Sequence, residues 1–250
     1  MSDRIYTLML VSLPMLWAGN LVGWAIASKL AGPPAGAEFL KISAIGTSIL
    51  FLVQAILYFW AKQRLVRQLI FASMAGLSLI WFMLCLILPI FWMQAIVGVV
   101  KIGLVIFSSV SFLGNFWFGI YRFNESWSEN DPDINQYFDA RSNTLDWDEI
   151  IKSLRLSVSM FIPGVPAWLE PVLSVLMVLL MLLGLNLRNI FPIFSVFVWG
   201  IPCIVVSATI FQMLALNVAQ ARKVFQLESI LDAAISSSKH PRARRKRKRK

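Results

Sequence analysis

Charge is what this chain has least of. Its 250 residues are 14% Asp, Glu, Lys and Arg against 58% hydrophobic residues, where a soluble domain carries about 25% charge. That deficit removes the polar surface that contact with water requires, and it is tolerable where lipid covers the surface instead. Histidine is scarcer still: the one His, His240, lies near the C-terminus, so the apolar runs hold no imidazole to ligate a haem or a metal. Cysteine is limited to Cys85 and Cys203, both inside apolar runs, where they read as small packing hydrophobes. They form no CxxC pair and no disulfide framework. No Asp or Glu sits deep in any apolar run, which argues against a carboxylate proton relay. Nucleophile elbows, phosphate loops and zinc spacings are missing too. The expectation is a non-enzymatic protein with no cofactor and no metal.

What is present is apolar length. Six runs, at residues 5–27, 42–61, 69–92, 96–121, 168–185 and 190–214, approach the ~20 residues needed to cross a bilayer as helix. The expected fold class is all-α: a polytopic membrane helix bundle of about six transmembrane helices, forming one transmembrane domain over residues 1–216. The first run starts at Ile5 and ends without a cleavage site, so it reads as a retained signal anchor. Trp17, Trp24, Trp60, Trp92, Trp117, Tyr121 and Trp168 mostly lie toward run ends, as in an interfacial aromatic belt. Segment 30–37 (LAGPPAGA) reads as a Pro/Gly turn. The connection near residues 92–94 is so short that spans three and four should form an antiparallel hairpin. With both termini cytoplasmic, inner segments hold 19 Lys and Arg and outer segments three, Lys29, Lys41 and Arg188. That is the positive-inside bias, and it places the protein in a cytoplasmic membrane, on this reading the bacterial inner membrane.

Charge is concentrated in two inner segments. The acidic inner loop, 123–156, carries Glu125, Glu129, Asp131, Asp133, Asp139, Asp146, Asp148 and Glu149 up to residue 149, with Arg141 as the one base among them. Asp131-x-Asp133-x-Asn135 resembles the opening of a calcium loop, but Gln136 stands where Gly is needed and Ser142 where Glu is needed. Asp146 with Glu149 forms an acidic capping box. Behind it Trp147, Ile150, Ile151 and Leu154 recur at helical spacing, which predicts an amphipathic helix lying in the inner membrane interface. Residues 217–238 read as a second, cytoplasmic amphipathic helix on Val224, Leu227, Leu231 and Ala234. Residues 239–250 (KHPRARRKRKRK) read as a disordered polybasic tail. It holds nine of the chain's 23 Lys and Arg, and without it 14 basic residues face 13 acidic ones. Arg244, Arg245, Lys246, Arg247 and Lys248 at its heart fit anionic lipid headgroups, at about 1 kcal/mol per charge, or a protein partner at the cytoplasmic face. Nucleic acid is the less favoured partner.

Polarity inside the runs is sparse. Asn20, Gln54, Ser108, Ser109, Ser111, Asn115, Ser207, Thr209 and Gln212 suit hydrogen bonds between helices. Lys101 is the one charge set well within a run, near its outer end, where it can snorkel; Glu170 lies at the inner end of the fifth run. Asn20, Lys101 and Asn115 are the residues a substrate cavity would use. Gly19-x-x-x-Gly23 is a close-packing motif that leaves room for a homo-oligomer, and Pro14, Pro89 and Pro202 are expected to kink their runs. Segment 16–27 (LWAGNLVGWAIA) resembles the first helix of drug/metabolite transporters of the EamA type. The resemblance spans about a dozen residues and carries no site residue with it; it implies a transporter. Two functions follow. The first is a multi-pass membrane protein acting through partners, as a subunit of a transport or envelope assembly or as an immunity-type protein, with the acidic loop and basic tail as contact surfaces. The alternative is a small-solute permease.

Overall fold

The computed structural model describes residues 2–61, 64–156, 166–187 and 190–237. It is all-helical apart from three two-residue strands. Helices α1 (Ser2–Ala31), α2 (Pro33–Trp60) and α3 (Leu65–Ile87) are followed by a 3-10 turn, Leu88–Trp92, and by α4 (Gly98–Asn130). Next come α5 (Ile134–Tyr137), strands β1 (Phe138–Asp139) and β2 (Thr144–Leu145), and α6 (Trp147–Ser153). The chain closes with α7 (Glu170–Leu187), α8 (Pro192–Leu231) and β3 (Ser236–Ser237). Five stretches are long and apolar enough to cross a membrane: α1, α2, α3 with its 3-10 extension, α4 and α8. The apolar part of α7, Pro171–Gly184, is shorter.

The long helices leave their apolar side chains outward. Phe59, Val99, Leu113 and Trp117 are each more than two-thirds exposed. In water such a surface would be an association hazard; in hydrocarbon it is the solvated face. Inside, α8 is the central element, packed on α3, α4 and α7, while α1 packs on α2 and α3.

The bundle has two distinct ends. At one, Leu86, Ile87, Ile90, Met93 and Ile96 pack with Val196, Cys203 and Ile204, so the start of α8 lies beside the close of α3. At the other, the start of α3 (Leu65), the last turns of α4 (Phe123) and the last turns of α8 (Leu216, Ala219, Val224, Leu227) share a core. Helices α4 and α8 therefore run parallel. This second end carries the hairpin and α6, and is called the polar end below.

Several boundaries differ from the sequence expectation, each for a physical reason. The Pro/Gly turn shrinks to Gly32, whose φ of 94° only glycine takes without strain. Pro33 and Pro34 then open α2, where the missing N–H costs nothing. At Pro89 the α-helix of α3 gives way to the 3-10 turn, whereas α1 and α8 continue through Pro14 and Pro202. The run at 96–121 continues as helix to Asn130, and the one at 190–214 continues to Leu231. The amphipathic segment expected at 217–238 is thus the last part of α8 followed by a turn and β3. Asp131 (φ 32°) and Asp232 (φ 46°) end these two helices in the left-handed region, which Asp tolerates better than most residues. The segment read as an acidic loop is in large part regular structure.

Candidate functional site at the polar end

At 33 and 40 residues, α4 and α8 measure about 50 and 60 Å, against ~30 Å of hydrocarbon. The excess carries a small cap with a core of its own. Phe123 and Trp127 of α4 lie one turn apart on the face that meets α6. Phe123 is buried and Trp127 stacks on Trp147, ring centroids 5.9 Å apart. Trp147, Ile150 and Leu154 are buried with Leu145, Val224, Leu227 and Ile235, and Ile151 packs against the same cluster. The indole of Trp147 donates to Gln220 Oε1 at 2.9 Å. The apolar face of α6, expected to rest on lipid, is therefore covered by the protein's own helices. Its packing against α4 and α8 buries Trp147, Ile150 and Leu154 and satisfies the indole N–H as well.

The cap is closed by the end of the chain. Strand β2 pairs antiparallel with β1 and parallel with β3. Leu65 N–H donates to the Ile235 carbonyl at 3.0 Å, and Ser236 N–H donates to the Asn143 carbonyl, also at 3.0 Å. Ile235 N–H in turn donates to Glu228 Oε1 at 2.8 Å. The basic tail, including Arg244, Arg245, Lys246, Arg247 and Lys248, lies outside the described residues, but its point of departure is held against the hairpin.

The acidic residues divide into two groups. Asp133 caps α5 by accepting from Asn135 N–H at 3.1 Å. Asp139 holds the hairpin turn by accepting from the Ser142 hydroxyl at 2.9 Å. Asp146 caps α6 by accepting from Glu149 N–H, and burial pushes its carboxyl above the usual carboxylate range. Glu149 forms an exposed ion pair with Lys152 at 3.0 Å. These carboxylates have local structural work, in the manner of Asx turns and caps. Glu125, Glu129, Asp131 and Asp148 are exposed, and Glu125 accepts from the Tyr121 hydroxyl at 2.9 Å. Glu125 and Glu129 line a cleft of about 270 Å³ with Arg122, Ser126, Asn130 and Arg155. Among the described residues, no group of three or more His, Cys, Asp or Glu is placed to hold a metal ion.

The three residues singled out for a substrate cavity sit in three separate places. Asn20 is buried among α1, α2 and α3, where its Oδ1 accepts from Thr47 Oγ1 at 3.0 Å and from Trp81 Nε1 at 3.4 Å. Lys101 reaches back to the Phe91 carbonyl at 2.9 Å, at the opposite end of the bundle. Asn115 is buried on α4 and donates to the Ser111 carbonyl of its own helix at 2.9 Å. The Gly19/Gly23 motif is used within the chain: a Cβ on Gly19 would stand 3.0 Å from Phe82 Cα, and one on Gly23 would stand 2.5 Å from the Cys85 carbonyl.

Sequence reasoning missed the cap's core. One available signal was the pair Phe123 and Trp127, which continues the helical period of α4 into the polar stretch. The two-residue strands carried no signal, because two residues show no alternation.

These features define the class: an all-helical bundle with membrane-spanning length in five helices and a folded polar cap at one end. Comparison with protein-family models, with curated proteins and with solved structures returns no match.

Proposed function

We propose that this chain is a non-enzymatic multi-pass membrane protein that acts through contacts made by its cap on the cytoplasmic side. The observation that carries the reading is the cap itself: a packed core presents Glu125, Glu129, Asp131 and Asp148 outward on a fixed frame. Four exposed carboxylates held on one frame suit recognition of a basic partner surface, since electrostatic complementarity governs specificity and encounter rate. The basic tail leaves the same end and suits anionic headgroups.

Topology supports this placement. Leu156 packs at the polar end and Val196 at the other, so the chain between them has to travel the length of the bundle. Helix α7 at ~27 Å is the element available for that passage. With that passage the reading is six crossings and both termini inside, in keeping with the Lys and Arg bias.

A photo-crosslinking residue at Glu129 or Asp148 tests the reading in native membranes. The expected result is a discrete protein adduct that disappears when the three remaining members of the set Glu125, Glu129, Asp131 and Asp148 are replaced by Gln or Asn. Adducts with lipid alone would overturn it.

A further inference from the structure

The cleft between α4 and the close of α6 lies at a defined depth. From Gly98 to Tyr121, α4 rises about 35 Å, against ~30 Å of hydrocarbon. Trp117 and Tyr121, one turn apart, are 74% and 54% exposed, as an aromatic belt at the interface requires. Arg122, the next residue, lines the cleft. One edge of the cleft is therefore at the level of the lipid headgroups on the polar side.

Its walls are fixed by bonds within the chain. Ser126 Oγ donates to the Leu154 carbonyl at 2.5 Å, and Asn130 Nδ2 donates to the Ser126 carbonyl at 2.8 Å. Arg155 N–H donates to the Lys152 carbonyl at 3.2 Å. Arg155 itself stands at φ 50°, in the left-handed region that residues other than glycine seldom adopt. Backbone of that kind collects at ligand-binding positions.

Four charged side chains share the cleft, Arg122 and Arg155 against Glu125 and Glu129. Among the described residues none of the four is in an ion pair, whereas Glu149 and Lys152 nearby do form one. Arg122 instead lies over the Phe118 ring, 5.2 Å from its centroid, and Glu125 accepts from the Tyr121 hydroxyl. Both contacts lie one turn back along α4, toward the membrane.

We infer that this cleft binds the headgroup of a zwitterionic phospholipid whose cation is a primary ammonium, which is the chemistry of phosphoethanolamine. Arg122 and Arg155 take the phosphate, for which the guanidinium fork is suited. Glu125 and Glu129 accept from the ammonium, which has N–H donors to give. The lining charges sum to zero, as do those of the headgroup. A quaternary ammonium has no N–H and is held by aromatic cages, and among the described residues no aromatic side chain lines the cleft. A headgroup with a phosphate and no cation would leave both carboxylates beside it uncompensated. At about 270 Å³ the cleft falls just below the ~300–1,000 Å³ of sites for drug-sized molecules. That suits a headgroup whose acyl chains stay in the bilayer. The inference does not rest on the partner contact proposed above: a carboxylate accepts several donors at once, and Asp131 and Asp148 lie outside the cleft.

Native mass spectrometry of the delipidated full-length protein, titrated with short-chain phosphatidylethanolamine, phosphatidylcholine or phosphatidylglycerol, tests this. One phosphatidylethanolamine is expected to be held about tenfold more tightly than either other lipid, the worth of one charge-assisted contact. R122Q/R155Q is expected to weaken it by at least about the same factor, and E125Q/E129Q to erase the preference over the other two lipids. Soluble glycerophosphoethanolamine is expected to compete only in large excess; competition on equal terms would make the free headgroup the ligand and overturn the lipid assignment. Equal retention of the three lipids by the wild-type protein overturns the inference by itself, whatever the variants do. A preference that survives in both double variants also overturns it, since the headgroup would then be held elsewhere.

Discussion

Asp146 illustrates how a single carboxylate is asked to serve two purposes. It caps α6 through the Glu149 N–H, and it sits partly buried beside other acids. Burial lifts its pKa; the bond from Glu149 N–H pulls it back, and the charges of Glu149 and Asp148 add to the lift. A carboxyl raised in the folded state holds its proton better there than in the unfolded chain. Its contribution to stability is therefore full below the unfolded value and declines as pH rises through the folded one. Asp146→Asn should keep the cap, since Asn is as good an N-cap, and flatten the pH dependence of cap stability just above the ordinary carboxylate range. Asp146→Ala should cost about 1 kcal/mol throughout. Amide hydrogen exchange over α6 reads both, and an unchanged pH slope in Asp146→Asn would dismiss burial as the cause. This cap was legible in the sequence, because Asp-x-x-Glu before an apolar run needs no tertiary knowledge. What Trp147, Ile150 and Leu154 cover was not: helical spacing tells which residues share a face, and says nothing about whether lipid or protein meets it.

At the scale of elements, the three N-terminal helices are joined by two polar layers that each draw on all of them. In one, Ser12 of α1 donates to Gln54 Oε1 of α2 at 3.1 Å, and Gln54 Nε2 donates to the Met74 carbonyl of α3 at 2.9 Å and to Ser78. In the other, Asn20, Thr47 and Trp81 meet. Interhelical bonds of this kind average ~0.6 kcal/mol and reach ~1.7 in a bilayer. Gln54→Leu removes three of them together and strands Ser78, while the Ser12 hydroxyl keeps the Met9 carbonyl at 3.2 Å, so a loss near 2 kcal/mol is expected. Unfolding in mixed micelles measures it; a loss no larger than that of Leu52→Ala, on the lipid face, would refute the layer. The run containing each of these helices was readable from length and hydropathy alone, because a bilayer demands uninterrupted apolar residues. The extensions of α4 and α8 were not, since beyond the hydrocarbon a helix is held by whatever it packs on. Here that is α6, distant in sequence.

For the whole molecule, the decisive element is α7. Its apolar stretch is the shortest among the passages, and its lipid face is bare, with Val172, Val175, Leu179 and Leu182 all more than half exposed. If it crosses, a cysteine placed at Asn186 should react with an impermeant reagent only from outside, and one at Asn143 only from inside. Reaction of both from one side would refute the passage of α7 and with it the six-crossing reading.

The order of synthesis gives the pairing of Leu65 with Ile235 a further meaning. Leu145, Trp147 and Ile150 leave the ribosome long before Val224, Leu227 and Ile235, which cover them. At ordinary elongation rates that delay is roughly 4–17 s. Throughout it the apolar side of α6 has α4 beside it but lacks the cover of α8, and the last helix must be inserted before that side is fully sheltered. A chain that terminates early, or whose final helix fails to insert, keeps that side exposed and marks itself for proteolysis.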